Sequence, residues 1–330
     1  MKITWCVALA LFFISCSKTA VKNTETSTIK EYQKISPDFD GDSAYHYVDR
    51  QVAFGPRVPN TKAHEACGDY LVKTLGRFGA DVQEQKMVLT AFDDTRLNAR
   101  NIIGVYGADK KKRVLLFAHW DTRPFADAEA DQSRRDEPIP GANDGGSGVG
   151  VLLETARQLG QRMPEVGVDI IFFDAEDYGN PSFAKNVPEG EWWCLGSQYW
   201  AKNPHVEGYK ANYGILLDMV GAKNATFFRE YYSKRYGENV LEKVWSTARQ
   251  LGFHKYFVGK DGGGITDDHL YVNQGRNIPS VDIIHLDEKR DFSFDKSWHT
   301  HNDNMDIIDK ETLRVVGQTI LEVIYKEKEN

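Results

Sequence analysis

The feature that most constrains the fold of this chain is a set of three largely apolar runs, at residues 114–118, 168–173 and 211–217. Short apolar runs of this kind are typical of central strands that are buried on both faces of a sheet. They alternate with segments whose apolar residues recur at helical spacing, such as 144–159 and 310–326. This alternation predicts an α/β fold, with helices on both faces of a central, twisted, mostly parallel mixed sheet.

We expect one domain, over residues 41–330. A chain of 330 residues permits two domains, but α/β enzymes of this size often form one. The remaining patterns predict helices at 41–54, 62–78, 238–251 and near Gly196, and strands at 82–90, 100–106 and 279–284. Polar loops are predicted at 122–140, 178–194 and 286–305. Long loops within a compact domain are usually functional or mobile.

The first forty residues are expected to lie outside this domain. The apolar run at residues 7–14 is too short to span a bilayer and fits a signal peptide over residues 1–15. Cys16 directly follows a small residue, an arrangement that resembles the lipobox of bacterial lipoproteins. The mature chain would then begin at a lipid-modified Cys16, with residues 16–40 as a tether on the periplasmic face of a membrane. An ordinary secretory signal is the alternative.

Charge and cysteine content limit the partners of the chain. The formal net charge of −7 and pI near 5.8 argue against nucleic acid or an anionic membrane surface as the main partner. We expect a monomer that reaches the membrane only through its lipid anchor. Cys67 and Cys194 are the only cysteines of the predicted domain. An exported compartment permits a disulfide, but the sequence leaves open whether these two residues meet.

Metal-binding side chains follow the apolar runs. His119, the pair Glu176–Asp177 and Asp218 come at or just after the ends of runs, and Asp144 lies in a glycine-rich stretch that opens a helix. Ligands collect outside the carboxyl ends of strands in open α/β sheets, so these side chains are expected to converge. Histidine among carboxylates, without paired cysteines, suits a catalytic zinc ion with an open position. For Asp144 alone, capping of the helix is the alternative.

Four motifs carry a resemblance to a known superfamily. They are Ala-His-Trp-Asp at 118–121, Gly-Ala-Asn-Asp at 141–144, Phe-Phe-Asp-Ala-Glu-Asp-Tyr-Gly at 172–179 and Leu-Leu-Asp-Met-Val-Gly-Ala at 216–222. Their order and spacing resemble those of the co-catalytic zinc aminopeptidases. The His-Glu-x-x-His helix of other zinc proteases is absent from the sequence.

Within that superfamily the chain is similar to the animal-type glutaminyl cyclases, which also occur in bacteria. Three features carry this similarity: the pair Asp267–Asp268 before His269, Trp298 before His299, and Trp193 shortly before a Gly-Ser pair. The resemblance covers about residues 45–326. It implies a zinc aminopeptidase-like fold and an enzyme that converts the N-terminal glutamine of peptides to pyroglutamate and releases ammonia.

The resemblance also implies one zinc ion per chain, with Asp144, Asp177 and His299 as its ligands. The animal enzymes carry two successive glutamates where this chain has Glu176–Asp177, so one ligand is a methylene shorter. Aspartate nevertheless remains a good oxygen ligand for zinc.

The resemblance assigns roles to five further residues. Glu176 would be the general acid/base, and Asp218 and Asp267 would form an acidic hydrogen-bond relay. Trp193 and Trp298 would flank the glutamine side chain and exclude water, which would otherwise compete as a nucleophile.

Two alternatives stay open. The first is a zinc aminopeptidase with two metal ions, because His119 and Asp218 are the residues with which such an enzyme would hold a second zinc. The second is a catalytically inactive peptide-binding lipoprotein on the same fold. The intact Glu176 and the complete ligand set argue against an inactive protein.

Overall fold

The computed structural model describes residues 1–2, 32–291 and 293–329. The chain divides into two compact units, Met1–Gln33 and Lys34–Asn330. Residues 3–15 of the predicted signal peptide, Cys16 and most of the predicted tether lie outside the described residues. Within the described part of the chain, no helix has both the length and the apolar character needed to cross a membrane.

The second unit contains a six-stranded mixed sheet with the strand order β1-β2-β4-β3-β5-β8. Strands β4, β3, β5 and β8 run parallel, and β2 pairs antiparallel with both β1 and β4. A separate pair, β6 and β7, is parallel. The strands are β1 (Asp81–Thr90), β2 (Arg96–Tyr106), β3 (Arg113–His119), β4 (Gly167–Phe173), β5 (Tyr213–Asp218), β6 (Phe227–Arg229), β7 (Phe257–Asp261) and β8 (Ser280–Ile284).

Seven α-helices are formed by the described residues of this unit. They are α1 (Gly41–Val52), α2 (Lys62–Arg77), α3 (Gly146–Gln161), α4 (Leu195–Lys202), α5 (Tyr231–Gln250), α6 (Asp268–Arg276) and α7 (Lys310–Tyr325). The predicted α/β class and the predicted central strands, which are β3, β4 and β5, are confirmed.

Alternate residues of the central strands pack into separate cores on the two faces of the sheet. In β4, Ile170 and Phe172 belong to the larger core, while Ile171 and Phe173 belong to the smaller one. The larger core is completed by α1, α2, α3, α5 and α7, and the smaller one by α4 and α6. Because both faces are covered, the strands can be apolar throughout, as their sequences are.

Residues 34–40, which the sequence assigns to the tether, are packed against α7. Glu322 accepts a hydrogen bond from the backbone N–H of Ser36 at 2.9 Å, and Gln318 accepts one from Phe39 at 3.1 Å. The ring of Phe39 lies directly against Gly317, where a Cβ atom would overlap it. The compact unit therefore begins at Lys34, because these backbone groups and this ring find partners there, and not at residue 41.

Other boundaries also differ from the predicted ones. Helix α6 and the strands β6 and β7 were not predicted, and α5 begins at Tyr231, seven residues before the predicted start at 238. Helix α3 begins at Gly146, and its N-cap is Gly145, which makes no side-chain cap. Asp144 therefore does not cap this helix. Cys67 and Cys194 are both buried and free, so they do not form a disulfide.

Candidate active site

The carboxyl ends of the parallel strands lie side by side. Strand β3 ends at His119, β5 ends at Asp218, and the turn with Glu176 and Asp177 follows β4. Because β3 lies between β4 and β5, these polar ends are neighbours. The structure thus brings together the residues whose convergence was predicted from the apolar runs.

Asp144, Asp177 and His299 form the first of two linked groups of side chains that could hold a metal ion, with candidate ligand atoms within 4.8 Å of one another. Nε2 of His299 lies 3.4 Å from Oδ1 of Asp177 and 3.8 Å from Oδ2 of Asp144. All three are buried, and Oδ2 of Asp177 has no hydrogen-bond partner among the described residues. A buried carboxylate oxygen without a partner is costly, and a bound cation would satisfy it. One imidazole and two carboxylates fit a catalytic zinc ion.

The second group consists of His119, Asp144 and Asp218. Nε2 of His119 lies 3.1 Å from Oδ1 of Asp144 and 3.3 Å from Oδ1 of Asp218. Burial alone would lower the pKa of His119, but hydrogen bonds with Asp121, Asp144 and Asp218 raise it well above its ordinary value. Asp144 belongs to both groups, as a carboxylate shared between two metal ions would.

Buried aspartates hold the backbone of the candidate metal ligands and of Glu176. Asp121 accepts hydrogen bonds from the N–H groups of Glu176 and Asp177 at 3.1 and 3.2 Å. Asp303 accepts one from the N–H of Asp144 at 3.0 Å. Burial and the charge of Asp144 raise the pKa of Asp303 to about 8. These bonds fix where the two ligand-bearing turns place their side chains.

His299 is held by a buried ion pair. Its Nδ1 lies 3.0 Å from Oδ1 of Asp127. The guanidinium group of Arg123 donates hydrogen bonds to both carboxylate oxygens of Asp127, at 2.8 and 2.9 Å. Burial opposes the ionisation of Asp127, but His299 and Arg123 outweigh it and hold the pKa of Asp127 far below its ordinary value. His299 itself has a left-handed backbone with φ of 54°. Such a conformation in a non-glycine residue persists only where its surroundings enforce it.

The carboxyl groups of the site are pushed toward different protonation states. Burial raises the pKa of Glu176 well above its ordinary value, and the charges of Asp267 and Asp177 raise it further. Burial and the charge of Asp218 likewise raise the pKa of Asp267. For Asp177, burial is outweighed by His299 and Arg123, which lower its pKa. Adjacent acids can therefore divide the work, since Asp177 stays ionised while Glu176 can hold a proton.

A cavity of about 320 Å³ opens above these groups. The indole ring of Trp193 is parallel to the His299 ring within 7°, with centroids 6.1 Å apart, and the Trp298 ring stacks on His299 at 3.6 Å. Predominantly apolar side chains complete the wall, among them Met219, Ile265, Ile284 and Phe294. The cavity thus has a polar floor and aromatic walls.

A sequence profile of peptidase family M28 matches residues 101–324, which contain every catalytic, substrate-binding and metal-binding residue predicted above. The chain belongs to peptidase family M28.

Two solved structures resemble this M28 protein over their whole lengths. A Zn-dependent exopeptidase from Parabacteroides distasonis is 60% identical, with a TM-score of 0.87, and the match covers 89% of this chain and 100% of that chain. The glutaminyl cyclase of Bacteroides thetaiotaomicron is 56% identical with the same TM-score of 0.87 and the same coverage of 89% and 100%.

Two more distant relatives represent both activities considered above. The bovine glutaminyl-peptide cyclotransferase is 26% identical over 302 residues, which are 82% of this chain and 78% of the relative. Aminopeptidase YwaD of Bacillus subtilis is 26% identical over 280 residues, and the match spans only 54% of its length. The predicted resemblance to glutaminyl cyclases of this superfamily is confirmed.

All predicted residues of the M28 site lie in one region. Those that line the cavity are Asp144, Glu176, Asp177, Trp193, Asp218, Asp267, Trp298 and His299. His119 lies beside them, within hydrogen-bond distance of Asp144. Only Cys16, the predicted lipid site, lies outside the described residues.

Sequence reasoning missed Arg123, Asp127 and Asp303 as parts of the site. Arg123 and Asp127 fall in a polar stretch predicted as a surface loop, yet the Arg123 side chain is 0% exposed. Their opposite charges four residues apart were a signal that the two side chains can neutralise each other. Cys194 was also missed, although its Sγ donates a hydrogen bond to Oε1 of Glu176 at 3.1 Å. Nothing in the spacing of the sequence indicates that contact.

Proposed function

We propose that this M28 protein is a glutaminyl-peptide cyclotransferase, which converts the N-terminal glutamine of peptides or proteins to pyroglutamate and releases ammonia. One observation carries the proposal: metal-binding residues and Glu176 form the floor of a cavity that Trp193 and Trp298 wall. Its volume, about 320 Å³, is at the small end of the range for ligand sites and suits one folded side chain. The resemblance to glutaminyl cyclases along the whole domain supports it.

Asp144, Asp177 and His299 would hold one zinc ion per chain. When bound, the zinc supplies Lewis-acid polarisation of the substrate's γ-carbonyl group. The buried, ionised Asp177 and the imidazole fixed by Asp127 are the chain's contribution to this binding. Their fixed positions would hold the metal-binding atoms of these side chains at the floor of the cavity.

The reaction joins two parts of one residue. A bond forms between the α-amino nitrogen and the γ-carbon, and the bond from that carbon to the side-chain nitrogen breaks. The α-amine gives up a proton and the leaving nitrogen gains one, so that ammonia departs. Because the reaction is intramolecular, it mainly requires a folded-back substrate pose, and Trp193 and Trp298 would supply that pose. The same rings exclude water from the acyl carbon.

Glu176 would carry the proton from the α-amine to the leaving nitrogen. Burial and nearby carboxylates raise the pKa of Glu176, which brings it closer to the pH at which a carboxyl group can both accept and release a proton. Asp267 lines the same cavity and is favoured in its neutral form by burial and by Asp218. A neutral Asp267 would direct the leaving nitrogen, and Asp218 would orient Asp267.

The Glu176→Gln variant tests this assignment. We expect cyclisation of a glutaminyl peptide to fall by about 10²–10⁴-fold, because the proton carrier is lost. Zinc should remain bound, since Glu176 is not in the proposed ligand set. Glu189→Gln, an exposed position in the neighbouring loop, is the matched control and should keep wild-type activity. Full activity of Glu176→Gln would refute the role of Glu176.

A second candidate function is a two-metal aminopeptidase. The observation that favours it is the group of His119, Asp144 and Asp218, which shares Asp144 with the proposed zinc site. This candidate predicts two zinc ions per chain and release of N-terminal residues from peptides. The third alternative, an inactive peptide-binding lipoprotein, predicts no turnover of either kind of peptide.

We also propose that the protein is exported as a monomeric lipoprotein anchored at Cys16 on the periplasmic face of the membrane. The support is the short apolar run and the small residue that precedes Cys16. Metabolic labelling with a radioactive fatty acid should mark the wild type and leave Cys16→Ser unlabelled. Labelling of both chains, or of neither, would contradict the anchor.

A further inference from the structure

A third group of potential metal ligands includes the proposed catalytic base, Glu176. One ligand atom from each of Glu176, Cys194 and Asp267 lies within 4.8 Å of the other two. None of these residues belongs to either of the groups that include Asp144. Glu176 and Asp267 line the cavity, while Cys194 lies beneath them and is 0% exposed.

The position of the thiol is fixed by the backbone. Cys194 donates its N–H to the carbonyl oxygen of Glu176 at 2.8 Å, and its Sγ donates to Oε1 of the same residue at 3.1 Å. Its backbone is left-handed, with φ of 56°. A non-glycine residue keeps this conformation only where its surroundings require it. The backbone conformation and these two hydrogen bonds therefore hold the sulfur beside the Glu176 carboxylate.

The surroundings of this thiol are strongly acidic. Burial raises the pKa of Cys194 well above its ordinary value, and the charges of Glu176, Asp268 and Asp267 raise it further. Cys67 is a useful contrast, because it is equally buried but lies near Arg57 and Arg100. A divalent cation at Cys194 would neutralise the charges that disfavour the thiolate, and a coordinating thiol loses its proton. The same cation at Cys67 would meet positive charge.

We propose that Glu176, Cys194 and Asp267 form a separate binding site for a thiophilic divalent cation, either Zn²⁺ in excess of the catalytic ion or Cd²⁺. A thiolate with two carboxylates suits these borderline and soft ions, whereas Mg²⁺ and Ca²⁺ require oxygen ligands alone. Binding breaks the S–H bond of Cys194, forms a sulfur–metal bond and releases that proton, together with any proton held by Glu176 or Asp267, to solvent. The oxidation states do not change.

Occupancy of this site would inhibit the enzyme, a consequence that rests on the proposed function. A cation bound to the Glu176 carboxylate removes the group that would carry the proton. The site would thus make the protein sensitive to excess zinc or to cadmium, through residues that do not hold the catalytic ion.

Binding can be tested without any activity measurement. Cd²⁺ is titrated into the zinc-loaded full chain, and the thiolate-to-cadmium charge-transfer absorption is followed while retained zinc is counted. We expect the wild type and Cys67→Ala to develop this absorption band while they retain their zinc. Cys194→Ala and Cys194→Ser should not develop the band. Cys194→Ser keeps a hydroxyl donor for Glu176 and guards against misfolding of the alanine variant. A band that persists in both Cys194 variants, or is absent from the wild type, overturns the site.

Inhibition is measured on the same samples. Cyclisation by the wild type and by Cys67→Ala should fall in step with the cadmium band. Each Cys194 variant should keep whatever activity it has without added cadmium. If the band forms without inhibition, the site stands and the role of Glu176 fails. If inhibition proceeds equally in the Cys194 variants, cadmium acts elsewhere and the inhibitory role of this site is refuted.

Discussion

Oδ1 of Asp127 lies 3.0 Å from Nδ1 of His299, so a buried carboxylate orients the ring whose other nitrogen faces Asp177. Metal-binding histidines commonly donate their second ring N–H to such a carboxylate, which fixes the tautomer and the direction of the ring. The pair therefore links a loop predicted to lie on the surface to the proposed zinc site.

Asp127→Asn should weaken zinc binding by about 10–100-fold, because the amide orients the imidazole less well and makes it a poorer donor. Competition with a chromophoric chelator measures the affinity. Asp136→Asn, an exposed position of the same loop, is the control and should bind zinc as the wild type does. Equal affinities for wild type and Asp127→Asn would show that the contact does not tune the metal site.

Arg123 should contribute strongly to stability. Its guanidinium group forms an ion pair with Asp127, donates a hydrogen bond to the carbonyl oxygen of Asp177 at 3.0 Å and lies 4.6 Å from the centre of the Trp193 ring. Arg123→Met leaves the buried Asp127 carboxylate without its guanidinium partner and should lower the free energy of unfolding by about 3–5 kcal/mol. Arg123→Lys retains the charge without the two-pronged geometry and should lose less.

Urea denaturation of the zinc-loaded protein measures these differences. Arg134→Met removes an exposed ion pair with Glu137 and should change the free energy of unfolding by about 0–1 kcal/mol. If Arg123→Met is no less stable than Arg134→Met, the buried ion pair is not a stabilising feature of this loop.

Gly179 sets the position of Trp193. A methyl group at residue 179 would overlap the Trp193 indole ring. Overpacking of this kind typically costs about 1–3 kcal/mol, or displaces the neighbouring side chain. Gly179→Ala should therefore lower kcat/KM for a glutaminyl peptide by about tenfold or more while zinc stays bound. At Gly259 an added Cβ meets nothing within 4 Å, so Gly259→Ala should behave as the wild type. Unchanged kcat/KM in Gly179→Ala would refute the need for a fixed Trp193.

Glu230 gives a pH dependence whose sign can be worked out. It accepts the backbone N–H of Ile265 in the cavity wall at 2.9 Å, and its Oε2 is 3.2 Å from Nε2 of His269. Burial opposes its ionisation, but the contact with His269 and backbone hydrogen bonds lower the pKa of Glu230 from 4.5 to about 2. A lowered pKa in the folded state contributes stability that is complete above pH 4.5 and is lost as the pH falls through about 2.

Glu230→Gln should thus be less stable than the wild type by about 3 kcal/mol at pH 7, and this difference should shrink as the pH falls from 4.5 toward 2. Chemical denaturation at a series of pH values measures it. Glu238→Gln, an exposed position on helix α5, which Glu230 caps, should show a small difference that does not vary with pH. A constant difference between wild type and Glu230→Gln would mean that the charge of Glu230 does not matter.

The central strands and the polar residues at their ends were predictable because a strand buried on both faces is a nearly continuous run of apolar residues. His119 and Asp218 terminate such strands, and Glu176 follows one, so their convergence follows from the parallel arrangement alone. The predictions of which residues bind zinc and which tryptophans wall the cavity came from the family resemblance. His299 in particular lies in a loop whose path no periodicity describes.

Other parts of the structure depend on contacts that local patterns do not record. Helix α6 has only nine residues, few of them apolar, so the segment is too short for a helical period of apolar residues to be detected. Residues 34–40 are polar in composition but are fixed by Glu322 and Gln318, nearly 300 residues away in sequence. Arg123 and Asp127 are polar residues of a loop, and only their mutual neutralisation allows them to be buried. The sequence alone predicts a tether at residues 34–40, a surface loop around Arg123 and Asp127, and no helix at the position of α6.

The proposed activity is tested most directly with the purified zinc-loaded protein and two peptides, one beginning with glutamine and one with leucine. Both reactions are followed by mass spectrometry, and zinc is counted in the same sample. A glutaminyl-peptide cyclotransferase should release ammonia from the glutaminyl peptide, leave the leucyl peptide intact and carry about one zinc ion per chain. Cleavage of the leucyl peptide by a protein that carries about two zinc ions would contradict the proposed activity and establish an aminopeptidase.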